Sequence, residues 1–468
     1  MKKITITALS LMLVLSAFAQ KKGYKVDINF TEPIRDEMVY LTRYYGKPFP
    51  TLIKVDSVKV TNPKKITFQS KEDITGGFHA IVFNDRTKVL EFLLDNGSNF
   101  SIQTDTAAKR SNTKVTGSKD NELNVKLGAI SEKYENEYMN PNLDSAARVA
   151  LQMKIGKEIN EYRQKVVEEN PNLLLSKYYK TFDFPEAPKG KHYLEDGVTI
   201  DSLYDFHYAS NHYWDNFDLK DDRILIAPIY ERSLENFFTN YVYYIPDSVQ
   251  AKAVDLLNRT EGSTELYQYT LRWLTNYMLN SKIMGMDEVF VYLVENYHMK
   301  GKAPWLDAAG IKEYTDLANK ISPTSLGAKA PELVMQDIFS QQNKPLSSVK
   351  AKYTAVIFWD LDCGNCRKEI QALDTLYHKE LKKKGVELYA VAINGDLDKL
   401  QKFIQENNGT SWINVADFQN TKEYKDAYNV YGTPTMYLLD KDQKIIGKKI
   451  SHNNILDIVE WHEKNPDL

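Results

Sequence analysis

Hydrophobic and polar residues alternate along the chain from residue 24 to about residue 116. Successive side chains of a β-strand point to opposite faces, so a period of two predicts strands that bury one face. Turn-forming clusters at residues 61–63 and 95–98 separate these runs at the spacing of a small sandwich or barrel. We therefore predict an all-β, sandwich-like domain over residues 20–117. Its predicted strands cover residues 24–28, 39–42, 53–58, 78–82, 89–93 and 100–102.

Beyond Gly117 the hydrophobic period lengthens to three or four residues, which is typical of helices with one buried face. Prolines interrupt this pattern where helices are expected to end. We predict a helical domain over residues 118–321. Its many aromatic residues could form a binding surface for carbohydrate or peptide, but aromatic residues at helical spacing belong more often to the core. Examples of this spacing are Leu123, Leu127, Ile130 and Tyr134, then Leu266, Tyr269, Trp273 and Tyr277, then Phe290, Leu293 and Tyr297.

Strand and helix patterns alternate from residue 322 to the C-terminus. Residues 353–359 form a nearly continuous apolar run, as in a strand buried on both faces, and a helical stripe follows it. Residues 435–439 and 444–450 flank a turn and predict a hairpin. The order β-α-β-α-β-β-α predicts an α/β domain over residues 322–468. The chain is thus predicted to be multidomain, with an N-terminal all-β domain, a helical middle domain and a C-terminal α/β domain.

The chain contains two cysteines, Cys363 and Cys366, which stand where the first buried strand of the α/β domain meets its helix. A structural disulfide between them would close almost no loop, so it would stabilise the fold little. A structural zinc site usually takes four Cys or His ligands at paired spacings, and no second CxxC or HxxxH accompanies this pair. We therefore predict a redox dithiol.

The positions of the two cysteines predict different tasks for them. The N–H groups and the dipole at a helix N-terminus favour the thiolate of Cys363, which can then attack a partner disulfide. Cys366, one turn further along the helix, can resolve the mixed disulfide that forms. Asp362 places a negative charge beside Cys363 and should disfavour its thiolate, although solvent screens an exposed charge.

Several short motifs of the C-terminal domain occur together in one order. They are residues 327–331, Phe358-Trp359, Cys363-Gly364-Asn365-Cys366, Lys368-Glu369 and Tyr431-Gly432-Thr433-Pro434-Thr435. In these motifs the region from about residue 326 to residue 468 resembles the thioredoxin fold, and specifically the exported thiol:disulfide interchange proteins of the TlpA/ResA type. The resemblance implies that Thr433–Pro434 is a cis peptide lying against the dithiol, where its backbone pairs with an extended substrate chain.

The resemblance also implies a role for Glu369 in tuning thiol acidity and in proton transfer, whereas a solvated helix carboxylate is the alternative. Thr433, Pro434 and Trp359 are the candidate substrate-binding residues, although packing is the simpler account of Trp359. The chain departs from the family pattern near the dithiol. Common members carry tryptophan before the first cysteine, proline before the second and often a helix-kinking proline, at the positions of Asp362, Asn365 and Gln371.

The first two predicted domains are similar in arrangement to the β domain and helical insert that precede thioredoxin modules in envelope proteins of the Bacteroidetes type. This similarity rests on loose patterns such as Val55-Asp56-Ser57 and implies no functional site.

Residues 1–19 have the three regions of a secretory signal: two lysines, an apolar stretch and Ala17-Phe18-Ala19. We predict cleavage after Ala19 and a periplasmic mature protein. No later segment approaches the ~20 apolar residues of a membrane helix, so the mature chain is not expected to span the membrane. A formal net charge of −3 and the lack of a basic block argue against a nucleic-acid partner.

His207 and His212 precede an acidic run that contains Asp215, Asp218 and Asp221. Their spacing fits no metal-ligand template, and a solvated surface loop is the simpler account. We predict neither a metal nor a cofactor for this chain.

Two functions are compatible with these patterns. The first is a periplasmic oxidoreductase that exchanges its dithiol with protein disulfides, acting as a reductant that receives electrons from a membrane-bound donor. The second is an envelope binding or stress-response protein whose N-terminal domains hold a glycan or peptide and whose thioredoxin domain is accessory. The dithiol favours the enzyme, because a scaffold has no physical need for an exposed thiol pair in an oxidising compartment. Asp362 disfavours an oxidase.

Overall fold

The computed structural model describes residues 22–85 and 87–465. The predicted signal peptide, residues 1–19, lies outside them. The chain divides into two compact units: the first extends to Tyr241 and includes Arg259–Tyr267, and the second consists of Val242–Asn258 and Gln268–Leu468. This division passes through the predicted helical domain. The domain boundaries given above stay predictions, because a compact unit can contain parts of more than one domain.

The first unit begins with strands, which confirms the predicted β-rich N-terminal region. They are β1 (Tyr24–Phe30), β2 (Met38–Arg43), β3 (Ile53–Lys59), β4 (Lys65–Ser70), β5 (Gly77–Phe83), β6 (Lys88–Leu94), β7 (Asn99–Thr104) and β8 (Lys114–Thr116). Two four-stranded sheets result, with the strand orders β4-β1-β7-β8 and β3-β2-β5-β6. Val26 and Ile28 of β1 pack with Val39 and Leu41 of β2 in one core, as the alternating pattern predicts.

Helices follow the strands in the first unit. They are α1 (Lys119–Lys133), α2 (Glu135–Tyr138), α3 (Ser145–Glu169), α4 (Leu174–Lys180), α5 (Tyr204–His212) and α6 (Tyr230–Asn240). Aromatic rings supply much of their core: Tyr213, Trp214 and Phe237 are nearly fully buried, and the Trp214 and Phe237 ring centroids are 5.3 Å apart. These rings therefore pack within the fold, as the helical spacing predicts for aromatic residues of this region.

The helical region continues with α7 (Pro246–Thr260), α8 (Glu265–Leu279), α9 (Met286–Leu293) and α10 (Ala308–Ile321). Tyr269 and Tyr297, two of the aromatic residues at helical spacing, are buried. The predicted helical middle region is confirmed.

A seven-stranded sheet forms the C-terminal part of the second unit. Its strands are β9 (Val334–Asp337), β10 (Asn343–Pro345), β11 (Tyr353–Trp359), β12 (Val386–Ala392), β13 (Ile413–Ala416), β14 (Thr435–Leu439) and β15 (Ile445–Lys448), and its helices are α11 (Gly364–Lys379), α12 (Leu397–Glu406), α13 (Glu423–Ala427) and α14 (His452–Lys464). The strand order is β10-β9-β13-β12-β11-β14-β15. The predicted α/β domain is confirmed; β9, β10, β13 and α13 are additions to the predicted order.

Strand β11 lies inside this sheet, parallel to β12 and antiparallel to β14, and each of its residues is buried. Ile357 and Trp359 face a core that also contains Ile370 of α11, whereas Val356 and Phe358 face a second core on the other side of the sheet. Burial on both faces explains why the sequence of this strand is apolar without alternation. The strand delivers the chain to the start of α11, where the cysteines lie.

A buried ion pair connects the edge of this sheet to α9. Lys448, the last residue of β15, has a side chain that is 2% exposed. Its Nζ atom lies 2.8 Å from Oδ1 of Asp287 and 3.2 Å from Oε1 of Glu288, both in the first turn of α9. A charge removed from water is tolerated only when it is well paired, so β15 depends on these two carboxylates.

We expect Lys448→Ala to destabilise the second unit. The substitution leaves Asp287 and Glu288 close together without their shared cation, at a cost of about 3 kcal/mol in the free energy of unfolding. Urea unfolding measures the change in the free energy of unfolding. Hydrogen exchange of the β15 amides reports the local loss of stability. Lys449→Ala is the matched control, because Lys449 is 51% exposed and 3.7 Å from Asp287, and its loss should cost less than about 1 kcal/mol. Equal effects of the two substitutions would contradict a structural role for the buried pair.

Candidate active site

A tight turn carries the chain from β11 into α11. The side chain of Asp360 accepts the N–H of Asp362 at 2.8 Å, and the Asp360 carbonyl accepts the N–H of Cys363 at 3.2 Å. Short polar side chains stabilise turns in this way by bonding backbone groups two residues ahead. The turn places Cys363 at the N-cap of α11, in an extended backbone conformation. Its sulfur therefore lies where the helix presents N–H groups that have no partner within the helix.

The sulfur of Cys363 occupies the position of a capping acceptor. Its Sγ atom accepts the backbone N–H of Cys366 at a distance of 3.2 Å. The hydrogen bond from the Cys366 thiol is the main cause that holds the pKa of Cys363 below the ordinary thiol value, and the N–H groups of Cys366 and Asn365 act in the same direction. Burial opposes this effect. The Cys363 thiolate is favoured because each of these donors stabilises negative charge on its sulfur.

Cys366 has the opposite surroundings. It is fully buried, whereas Cys363 is partly exposed, and both are free thiols. Burial is the main cause that raises the pKa of Cys366, and the hydrogen bond it shares with Cys363 adds to the increase. The site therefore holds one accessible sulfur that favours the thiolate and one inaccessible sulfur that keeps its proton.

The loop before β14 supplies the other wall of the site. The peptide bond between Thr433 and Pro434 is cis, as the family resemblance implies. The carbonyl oxygen of Thr433 lies 3.7 Å from the Sγ atom of Cys363. The fold thus brings together two predicted segments, the cysteine motif and the Thr433–Pro434 loop, that are about 70 residues apart in the sequence. The role of this loop in binding substrate stays a prediction.

Glu369 is held by the start of α14. Its Oε1 atom accepts the backbone N–H of His452 at 2.6 Å, and its Oε2 atom lies 2.8 Å from Nδ1 of the same residue. The Glu369 side chain is 13% exposed, so it is not the freely solvated carboxylate that the sequence left open. A carboxylate is stabilised at a helix N-terminus, so this contact holds α11 against the start of α14. The predicted role of Glu369 in tuning the thiols stays a prediction.

Asp362 is exposed, whereas Trp359 is buried. Asp362 is exposed beside Cys363, as the sequence predicts, so its charge is screened by solvent. Trp359 is 1% exposed and its ring centroid is 5.5 Å from that of Phe403. A side chain buried in the core does not offer a surface to an extended substrate. Packing, the simpler of the two accounts considered for Trp359, is the one that this burial supports.

Two residues of the site have no counterpart among the sequence candidates. Asp360 stabilises the turn by accepting the N–H of Asp362. The sequence carries a signal for this role, because an aspartate in a turn commonly accepts the backbone N–H of the residue two positions ahead. His452 is 83 positions from Glu369, and nothing in the sequence near either residue indicates their contact.

The His207 to Asp222 region forms structural contacts in the first unit. Nζ of Lys177 lies 2.9 Å from carboxylate oxygens of both Asp218 and Asp221, and His212 pairs with Asp215 at 2.6 Å. Among residues 22–85 and 87–465, no group of three or more His, Cys, Asp or Glu side chains is arranged to hold a metal ion.

A CxxC pair at the N-terminus of a helix, reached from a buried central strand and faced by the Thr433–Pro434 loop, is the arrangement of a thioredoxin-like domain. The model of the AhpC/TSA family matches residues 326–448. Two further models, each described as a domain of unknown function (DUF4369 and DUF5106), match residues 24–124 and 197–322. The C-terminal region of the chain is thus a TlpA/ResA-like thioredoxin-fold domain, and several relatives that it resembles are named thiol-disulfide oxidoreductases.

Individual relatives match parts of the chain. The thiol-disulfide oxidoreductase ResA of Bacillus cereus is 28% identical over 139 residues, which cover 30% of this chain and 78% of that protein. A domain of a possible thiol-disulfide isomerase from Cytophaga hutchinsonii is 38% identical, with 30% of this chain and 95% of that chain covered and a TM-score of 0.29. A thioredoxin-like protein from Bacteroides caccae is 19% identical, and the match covers 59% of this chain and 100% of that chain with a TM-score of 0.46.

We expect limiting iodoacetamide to alkylate Cys363 before Cys366 in the reduced full-length protein. Cys363 is accessible and its pKa is lowered, whereas burial protects Cys366 and raises its pKa. The alkylation rate of Cys363 should reach half of its maximum below pH 9.0, the ordinary thiol value, because a lowered pKa gives thiolate at lower pH. Peptide mass spectrometry identifies the labelled cysteine, and predominant labelling of Cys366 would reverse the assignment.

Proposed function

We propose that this protein is a periplasmic thiol:disulfide oxidoreductase that reduces disulfides in protein substrates. The observation that carries the proposal is the inequality of the two sulfurs: Cys363 is accessible at the N-cap of α11, and Cys366 is fully buried one turn away. An attacking sulfur must meet its target, whereas a resolving sulfur needs to reach only its neighbour.

Reduction proceeds in two displacement steps. The Cys363 thiolate attacks one sulfur of the substrate disulfide, the substrate S–S bond breaks, and the departing substrate thiolate takes a proton. A mixed disulfide now joins Cys363 to the substrate. Cys366 then loses its proton and attacks the sulfur of Cys363, which releases the second substrate thiol. Two electrons have passed from the dithiol to the substrate, so Cys363 and Cys366 end as a disulfide.

The oxidised pair requires a donor of two electrons before the next cycle. We assign this role to a membrane-bound thiol donor, which would exchange with the Cys363–Cys366 disulfide by the same steps in reverse. Residues 1–19 support the periplasmic location, because their lysines, apolar stretch and Ala17-Phe18-Ala19 have the arrangement of a cleavable signal. In the part of the chain that the structure describes, no helix has the length and apolar character needed to cross a membrane.

In this proposal Thr433 and Pro434 position the substrate. The Thr433 carbonyl lies 3.7 Å from Cys363, so a polypeptide that pairs with this backbone brings its own sulfur to the site. Backbone pairing with an extended chain requires no particular side chains, which suits an enzyme that accepts several protein substrates.

A second candidate function is supported by one observation. The segment from Phe182 to Leu203 exposes several large apolar side chains, among them Phe184 at 51%, Val198 at 80% and Ile200 at 55%. Exposed apolar side chains are the kind of surface that a partner can cover. In this alternative the first unit binds an envelope glycan or peptide, and the redox domain is accessory.

Reduction of a protein disulfide by the full-length protein tests the proposed function. We expect Cys363→Ser to abolish turnover, because no other thiol is accessible to attack the substrate. Lys379→Ala, at the far end of α11 and 74% exposed in its side chain, is the matched control and should retain activity within about twofold. Undiminished activity of the Cys363→Ser protein, or none in the wild-type protein, would favour the binding function.

The redox potential tests the direction of electron flow. We expect the Cys363–Cys366 couple to lie nearer the thioredoxin value of about −270 mV than the strongly oxidising value near −120 mV. Asp362→Asn should shift it in the oxidising direction by at most a few tens of mV (about 30 mV corresponds to ~1.4 kcal/mol), because loss of the carboxylate stabilises the Cys363 thiolate.

Equilibration with glutathione buffers measures both potentials. Asp398→Asn is the matched control, because Asp398 is an exposed carboxylate in the first turn of a different helix, α12, and its loss should leave the potential unchanged. A wild-type potential more positive than about −180 mV would contradict the reductant assignment.

A further inference from the structure

A cavity in the second unit lies between the helical region and the α/β domain. Its volume is about 580 Å³. The residues after α8, the end of α10 and the segment before Thr433 all contribute to its walls, with Lys282, Ile283, Lys320 and Tyr431 among the lining residues. The redox chemistry proposed for the cysteines does not involve these residues.

The cavity reaches the loop that faces the reactive sulfur. Tyr431 lines it, is 61% exposed and stands two residues before Thr433, whose carbonyl oxygen is 3.7 Å from Cys363 Sγ. Two residues of extended chain span at most about 7 Å. A substrate segment that pairs with Thr433 and extends toward Tyr431 therefore brings the residues two to four positions from its cysteine to the Tyr431 side of the cavity.

Contacts fix the wall nearest the site. The Tyr431 hydroxyl donates to Oδ1 of Asp426 at 2.8 Å, and Nζ of Lys320 lies 5.4 Å from the centroid of the Tyr431 ring. This cation–π contact connects α10 to the loop of Thr433. The helical region thus contributes to the surface around Tyr431, two residues before Thr433.

Positive charge predominates in the lining. The lining contains four lysines and two carboxylates: Lys282, Lys320, Lys448 and Lys449 with Asp287 and Asp457. Asp287 is engaged by Lys448 at 2.8 Å and lies 3.7 Å from Lys449. No carboxylate of residues 22–85 or 87–465 lies within 4 Å of the Lys282 or Lys320 ammonium. An anionic side chain of a bound segment would therefore find cations with spare capacity.

The lining also offers apolar surface to a ligand. Ile283 is 48% exposed and Met284 is 36% exposed, and both line the cavity. Burial of such side chains by a partner is favourable in proportion to the area removed from water. Methionine adapts its shape to different apolar partners, which suits a site that accepts more than one sequence.

We propose that this cavity is a substrate subsite that takes an acidic, partly apolar segment of the protein substrate, two to four residues from its target cysteine. This inference rests on the proposed function, because it is the exchange at Cys363 that brings such a segment to the cavity. The subsite gives the helical region a role in selecting substrates: the Thr433 backbone accepts any extended chain, and the cavity discriminates among them by charge.

Two synthetic peptides test the subsite with the full-length protein. Each carries one cysteine as a thiopyridyl mixed disulfide. In the first peptide, a leucine and two glutamates lie two to four residues from the cysteine, on either side of it. In the second peptide, lysines replace the glutamates. The reporter is the rate at which reduced protein releases thiopyridone. We expect the wild-type protein to prefer the acidic peptide by about fivefold at low salt, the size expected from two or three exposed ion pairs.

The variant Lys282→Glu/Lys320→Glu should lose this preference or favour the basic peptide. The ratio of the two peptide rates is compared within each protein, so a general change in activity cancels. Lys300→Glu, an exposed lysine that is not part of the lining, is the matched control and should keep the wild-type ratio. An unchanged ratio in the double variant would overturn the subsite.

A neutral small disulfide, bis(hydroxyethyl) disulfide, separates failure of the subsite from failure of the proposed function. If the wild-type protein reduces this compound but treats both peptides alike, the subsite is wrong and the oxidoreductase stands.

If no disulfide is reduced, fluorescence anisotropy with labelled peptides that carry serine in place of cysteine tests the cavity directly. Binding of the acidic peptide that the double variant loses supports the cavity, and its absence overturns it. A change of oligomeric mass in the double variant, without a change in peptide ratio, would assign the cavity to a second copy of the chain and overturn the subsite.

Discussion

The hydrogen bond from the Cys366 N–H to the Cys363 sulfur is the contact on which the site depends. It forms because Cys363 occupies the N-cap of α11, where helical N–H groups have no acceptor within the helix. The preferred acceptor at this position is a serine, threonine, aspartate or asparagine oxygen. Here the acceptor is a sulfur, so the energy that usually caps a helix stabilises a thiolate. The two-residue spacing follows from the same geometry, because Cys366 lies one turn further along, inside the core.

The rest of the domain holds this contact in place. Strand β11 is buried on both faces and cannot shift without disrupting two cores, so the start of α11 is fixed relative to the sheet. The antiparallel pairing of β11 with β14 sets the position of the Thr433–Pro434 loop that precedes β14. Glu369 secures α11 to the start of α14 through His452. On the outer edge, Lys448 joins β15 to α9, so the helical region supports the same sheet.

Much of the fold was predictable because its signals are local. The apolar run of β11, the alternation in β1 and the helical stripe of α11 each report burial of one or two faces. Strands β4 and β8 carry only short signals: the alternation in β4 is limited to two buried apolar residues, Ile66 and Phe68, and β8 has three residues in all. The cysteine pair was predictable from its spacing and position, and the cis state of Thr433–Pro434 was implied by family resemblance.

Contacts between distant residues were not predictable from one sequence. The pairing of Glu369 with His452 and of Lys448 with Asp287 joins positions that only the folded chain brings together. Trp359 shows a related difficulty, because a large aromatic residue beside a redox motif suits both a core and a binding surface. Its side chain is 1% exposed because it lies on the face of β11 that packs into the core beneath α11.

Trapping of the mixed disulfide tests whether Cys363 attacks and Cys366 resolves. The full-length Cys366→Ser and Cys363→Ser proteins are each reduced, mixed with a disulfide-bonded protein and examined by mass spectrometry. We expect Cys366→Ser to accumulate a covalent complex through Cys363, because the resolving thiol is absent. We expect no comparable complex for Cys363→Ser, whose remaining sulfur is fully buried. A complex that forms through Cys366 and not through Cys363 would show that the two roles are reversed.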